Sequence, residues 1–229
     1  MSREIQRVQK EAHRGEYGSW RRAYCRAYGE ITDEILHRMM LEQRYFISSA
    51  GGSISCRKAC AYCCSHYISV SLGQGLVISE FLYSNLPAMQ AFFRGFRKWQ
   101  KAIERDDSSL RELERYTNYS REVRHYPQEL LDKYAAIDVP CPFLSQKACS
   151  IYPVRPVCCA SHVSISPPEN CRPGSAAQPM ICETPPELEL LRRQALLGEP
   201  LLTLHQETMG TLVYRMLTEG LPRILRGVP

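Results

Sequence analysis

Apolar residues recur at helical intervals over most of this chain. Ala88, Phe92, Phe96, Trp99 and Ile103 follow one another at spacings of four, four, three and four, which puts them on one helix face. An aromatic stripe of this size predicts core rather than a binding surface. Ile31, Ile35 and Met39 line a second face in the N-terminal third, with Leu36 and Met40 beside them. Pro127 is placed to open a helix through Leu130, Leu131 and Tyr134, because proline fits the first helical turn. Thr184-Pro185-Pro186-Glu187 has the form of a capping box and predicts a helix running to about Leu197 and stopping at Gly198. A last helix carries Leu204, Met209, Leu212, Val213, Met216 and Leu217, with Gly220 as its terminator. Strand composition is limited to 67–72, with 160–166 as a weaker second segment.

The segment 138–183 breaks this pattern. It is rich in proline from Pro140 to Pro179 and holds six of the eleven cysteines. Proline removes backbone donors and blocks regular helix, so this stretch is expected to be looped. Long irregular loops in compact domains need something to hold them, and bound metal is the simplest holder. The expected architecture is mainly α. A single domain, 1–229, has irregular Cys/Pro-rich loops organised around a metal site. Its metal-binding core is about 56–182, between flanking helices at 1–50 and 184–220. No internal repeat or linker marks a further boundary.

Composition narrows the partners. With 44% hydrophobic and 23% charged residues, the chain reads as an ordinary globular protein. A net charge of +5 is mild, and the basic pairs Arg21–Arg22, Arg97–Lys98 and Arg192–Arg193 are scattered along predicted helices. They read as solvated helix faces, and nucleic acid is not an expected partner. No run approaches the ~18 apolar residues of a membrane span, so no membrane association is expected either. The N-terminal residues lack the apolar centre of a signal peptide, which makes the cytoplasm the expected compartment. Clustered cysteines in a reducing compartment point to metal ligands or redox groups rather than disulfides.

Cys56-Arg57-Lys58-Ala59-Cys60-Ala61-Tyr62-Cys63-Cys64 places four thiols within nine residues. Such spacing lets one loop aim several sulfurs at one centre, as metal–sulfur bonds of about 2.3 Å require. Thiolates suit Zn²⁺ and iron–sulfur clusters rather than Mg²⁺ or Ca²⁺. Arg57 and Lys58 add positive charge that favours the thiolate form. The spacing of Cys56, Cys60 and Cys63, with Tyr62 before the third, resembles the cluster loop of radical S-adenosylmethionine enzymes. The helical pattern that follows does not match the alternating strands and helices of their barrel.

Cys141-Pro142-Phe143-Leu144, Cys149-Ser150-Ile151-Tyr152 and Arg155-Pro156-Val157-Cys158-Cys159 follow in order. Taken with the first cluster, they resemble the CxxCxxCC cysteine-cluster family, described as zinc- or iron-chelating proteins. The resemblance covers about 56–159. It implies Cys56, Cys60, Cys63, Cys64, Cys141, Cys149 and Cys159 as metal ligands, with Arg155 and Pro156 framing the last. Seven thiolates exceed one tetrahedral zinc, so two metal ions or one multinuclear cluster, such as a 4Fe-4S cluster, would use them. Flagellin lysine N-methylase, a relative of this pattern, implies iron–sulfur and S-adenosylmethionine chemistry in the group.

Three functions are therefore expected as alternatives. The first is a metal-binding protein holding an iron–sulfur cluster or zinc. The second is an S-adenosylmethionine-dependent enzyme acting on a protein substrate, and the third is a thiol redox sensor using Cys63–Cys64 or Cys158–Cys159. Cys171 and His162 are additional candidate ligands, although lone histidines such as His66 and His162 are more often structural. Cys25, Cys158 and Cys182 have no assigned role. The sequence carries no phosphate loop, dinucleotide fingerprint or hydrolase constellation. Catalytic residues and oligomeric state stay undefined.

Overall fold

A computed structural model describes residues 15–57, 59–119, 126–182, 192–194, 196–197, 202, 205–221 and 224. The N-terminal apolar stripe folds as one long helix, α1 (Gly15–Ser49). Tyr24, Tyr28, Ile31, Ile35 and Met39 recur at spacings of three and four, and all are buried. Met40, expected near that face, is 38% exposed. A loop then leads to β1 (Ser69–Ser71) and α2 (Leu72–Ser84). A capping box starts α2: Gln74 N donates to Ser71 Oγ at 3.2 Å, and Ser71 N donates to the Gln74 side chain at 3.3 Å.

One expectation on charge fails here. Arg21 is not on a solvated face but only 3% exposed, with its Nε 2.6 Å from Glu80 on α2. Its guanidinium also lies 4.5 Å over the Tyr83 ring. A carboxylate and an aromatic face together satisfy the buried cation where α1 packs on α2.

The aromatic stripe is α3 (Leu86–Ile103), capped by Asn85, whose side chain accepts from Ala88 N at 3.1 Å. Ala88, Phe92, Phe96, Trp99 and Ile103 are all buried, as their spacing predicts. Helices α4 (Asp107–Tyr119) and α5 (Gln128–Ala136) follow. Pro127 is the N-cap of α5 rather than a residue inside its first turn. Trp99 Nε1 donates to Tyr134 Oη at 2.9 Å and ties α5 to α3.

The segment 138–182 is irregular, as its prolines require, yet two small antiparallel pairs punctuate it. β2 (Leu144–Ser145) pairs with β3 (Ala148–Cys149), and β4 (Val163–Ser164) pairs with β5 (Ile181–Cys182). Between them lies the short helix α6 (Val157–Ser161). The strand expected over 160–166 is thus reduced to Val163–Ser164. The predicted helix from Thr184 falls mostly outside the described residues, although 192–194 are helical. Leu204 also lies outside them. β6 (Gln206–Thr208) then enters α7 (Met209–Thr218), which ends at Gly220 with φ +82°.

β6 returns to pair antiparallel with β1, setting Ser69 opposite Thr208. Each of these strands runs directly into a helix, so α2 and α7 lie side by side in the main core. No helix among the described residues is long and apolar enough to cross a membrane.

The core also reaches the cysteine loops. Pro142, next to Cys141, lies against the bare backbone of Gly95 on α3 and of Gly210 on α7. A side-chain carbon added at Gly95 would collide with the Pro142 carbonyl oxygen, and one at Gly210 would come within 2.9 Å of Pro142 Cγ. Phe143 stacks on Phe92 with ring centroids 4.6 Å apart. Alanine normally favours a helix over glycine by ~1 kcal/mol. Gly95→Ala should nevertheless lower stability, by about 1–3 kcal/mol, because backbone must shift to admit the methyl group. Urea unfolding measures this, and a stabilised variant would contradict the packing described.

Candidate metal centre

The first cluster occupies the loop between α1 and β1. Gly51, with φ +70°, turns the chain out of α1, and Ala59 takes φ +67° between Cys56 and Cys60. A 3₁₀ turn, Tyr62–Ser65, then carries Cys63 and Cys64. Lys58 lies outside the described residues. Although Cys56 is exposed, this loop is tied to the second cysteine-bearing segment. Ser55 N donates to Ser164 O at 2.9 Å, and Ser55 Oγ donates to the same carbonyl at 2.9 Å. Ser164 N returns a bond to Cys56 Sγ at 3.2 Å. Ten residues after Cys56 the chain reaches the second cluster again from His66. Just before that, Cys64 O accepts from Cys141 N at 2.6 Å.

The second cluster is aimed by the Pro142–Phe143 anchor and the hairpin after it. Ser150 N donates to Phe143 O at 2.8 Å, and the hairpin sets Cys149 opposite Leu144. Its turn is Gln146–Lys147, with φ of +50° and +62°. Beyond it, Arg155 lies with its guanidinium 4.2 Å over the Tyr152 ring. Pro156 caps α6, which carries Cys158 and Cys159. Gln43 of α1 donates to Ser161 O at 2.6 Å and to Cys182 O at 3.2 Å, pinning the end of α6.

Among the described residues, the non-glycine positions with positive φ are Ala59, Asp138, Gln146 and Lys147. All four belong to the cysteine-bearing loops. Left-handed backbone is disfavoured for side-chain-bearing residues, and it persists only where the surroundings enforce it. At Ala59, Gln146 and Lys147 it bends the chain between successive sulfurs.

The thiols stand in one another's fields. The Cys64 thiol hydrogen-bonds Cys63, which holds Cys63 below the usual thiol range, and the charges of His162 and Arg155 act in the same direction. Cys64 is pushed up as the donor of that bond and by burial, with Cys141 and Cys149 adding to the effect. Burial pushes Cys141 up to about 12, and Cys149 and Cys63 add to it. Cys149 is raised by burial against the pull of Arg155. Cys159 is raised by its bond to Cys158 and by burial, with Cys141 and Cys63 contributing. Cys63, Cys64, Cys141, Cys149 and Cys159 therefore form one electrostatic set.

Cys56 and Cys60 relate to a different neighbour. Cys171 is buried and raised chiefly by that burial, and it senses Cys63, Cys56 and Cys60. Cys171 lies outside the residues of the resemblance, and the structure sets this additional candidate from the sequence beside the first cluster. Ser164 was not singled out by sequence. Its role as the meeting point of both loops rests on bonds between segments about a hundred residues apart, which leave no local pattern. Cys25 is buried in the main core, where burial pushes it up to about 12. Cys158 is exposed, and Cys182 is half-buried on β5.

The donor set suits soft or borderline metals: sulfur dominates it, with imidazole close by. Half-buried thiols that raise one another's cost of ionisation do not readily all ionise unaided, whereas a cation among them would favour the thiolates. Ser150 Oγ, next to Cys149, is buried without a hydrogen-bond partner among the described residues. Those residues contain no group of three or more His, Cys, Asp or Glu side chains closed to metal-binding geometry. No two cysteines are joined by a disulfide. Comparison with protein-family models, with curated proteins and with solved structures finds no match.

Exposure orders the reactivity of the cysteines. In the native chain, alkylation should reach the exposed Cys56 and Cys158 well before the buried Cys25 and Cys171. Peptide mass spectrometry over a time course measures this order. Equal rates at all four would contradict the burial described.

Proposed function

We propose that this chain is a metal-binding cysteine-cluster protein that takes an iron–sulfur cluster or zinc. Its ligands are drawn from Cys56, Cys60, Cys63, Cys64, Cys141, Cys149 and Cys159. The observation that carries this reading is the docking of two cysteine-rich loops on each other through the bond from Cys141 N to Cys64 O. Five buried or half-buried thiols from both loops then share one field. When bound, the metal supplies the positive charge that lets these thiols ionise together.

The chain's own residues contribute three things. Pro142 and Phe143 fix Cys141 against the core. Arg155 offsets negative charge at Cys63 and Cys149. Ser164 N neutralises part of any charge on Cys56 through its hydrogen bond.

Anaerobic purification with elemental analysis tests the reading. Brown protein absorbing near 400 nm, with iron and sulfide, supports a cluster. Colourless protein with stoichiometric zinc supports the other metal. Protein without transition metal from supplemented cells would overturn the proposal.

The shared site also predicts which substitutions matter. Cys149→Ser and Cys159→Ser should lower metal content about as severely as Cys60→Ser, because losing one thiolate opens a closed site. Arg155→Ala should act more mildly, since it removes charge and not a bond. Metal-to-protein ratios decide this. Full occupancy in both Cys149→Ser and Cys159→Ser would show that the first loop binds alone.

A further inference from the structure

Two histidines stand where the cysteine loops meet. The rings of His66 and His162 come edge to face with centroids 6.0 Å apart. Each follows a cysteine at the same interval, as Cys63-x-x-His66 and Cys159-x-x-His162. The first pair sits on the 3₁₀ turn Tyr62–Ser65, whose C-cap is His66, with His66 N donating to Cys63 O at 3.2 Å. Side chains three apart on such a turn eclipse one another. The second pair sits on α6, whose C-cap is His162. Residues three apart on a helical turn share its face. Each loop thus presents one sulfur and one imidazole side by side, and the rings bring the two presentations together.

We propose that Cys63, His66, Cys159 and His162 form a mononuclear Cys2His2 zinc site at this junction. Cys56, Cys60, Cys64, Cys141 and Cys149 are then left to a second centre. The inference rests on the metal-binding reading above and divides its thiolates. Four donors from two loops complete a tetrahedron, with Zn–S bonds of about 2.3 Å and Zn–N bonds of about 2.0–2.1 Å. Both pairs are anchored: Ser161 O, beside His162, accepts from Gln43, and Cys64 O, beside Cys63, accepts from Cys141 N.

The test is zinc analysis with X-ray absorption at the zinc edge on the full chain, purified anaerobically from zinc-supplemented cells. Wild-type protein should show nitrogen as well as sulfur around zinc. His66→Ala and His162→Ala should each lose about one zinc per chain. His66→Cys and His162→Cys, which keep a ligand and guard against misfolding, should recover that zinc with a shell richer in sulfur. Unchanged zinc content in both alanine variants, or a wild-type shell of sulfur alone, would overturn this site and leave the metal-binding reading intact. Wild-type chain without any metal would overturn both.

Discussion

Pro142 is held between two helices at the only places where they present bare backbone to it, Gly95 on α3 and Gly210 on α7. One residue on, Phe143 is stacked on Phe92 and just 1% exposed. The packed interior therefore fixes both the position and the direction of the chain at Cys141. From there one backbone bond reaches Cys64, and the hairpin that follows carries Cys149 back over the same anchor. This contact gives the two cysteine loops their common reference on the core.

The loops around that anchor carry features that cost stability. Left-handed backbone at Ala59, Gln146 and Lys147 is typically unfavourable by about 1–3 kcal/mol each. Thiols are crowded together in partial burial, where charge on one raises the cost of charge on the next. Both features make sense if the loops complete their fold with a cation. Metal binding would then contribute folding free energy at the place where the apolar core contributes least.

Much of the helical frame was legible in sequence because burial imposes its period on the residues. The stripes of α1, α3 and α7 were readable for that reason, down to Gly220 as a stop. Arg21 was misread because its partner, Glu80, lies on another helix, and a single basic residue gives no sign of its environment. The β2–β3 hairpin was invisible because Gln146–Lys147 occupies a turn geometry usually announced by asparagine and glycine. Pairing of β1 with β6 joins segments far apart in the chain, Ser69–Ser71 and Gln206–Thr208, through only three residues each. In the candidate site, spacing identified the thiols, and proline identified the loops. The contacts through Ser55, Ser164 and Pro142 that bring them together are tertiary, and no single segment encodes them.

The central claim is that both cysteine loops close on metal as one unit, upon a frame that does not need it. Hydrogen exchange on the full chain, with and without its metal, tests this most directly. The account predicts that peptides from 52–66 and from 141–171 gain protection together, while α3 and α7 exchange equally slowly in both states. Protection gained in one loop alone, or a loss of protection throughout the helices on metal removal, would contradict it.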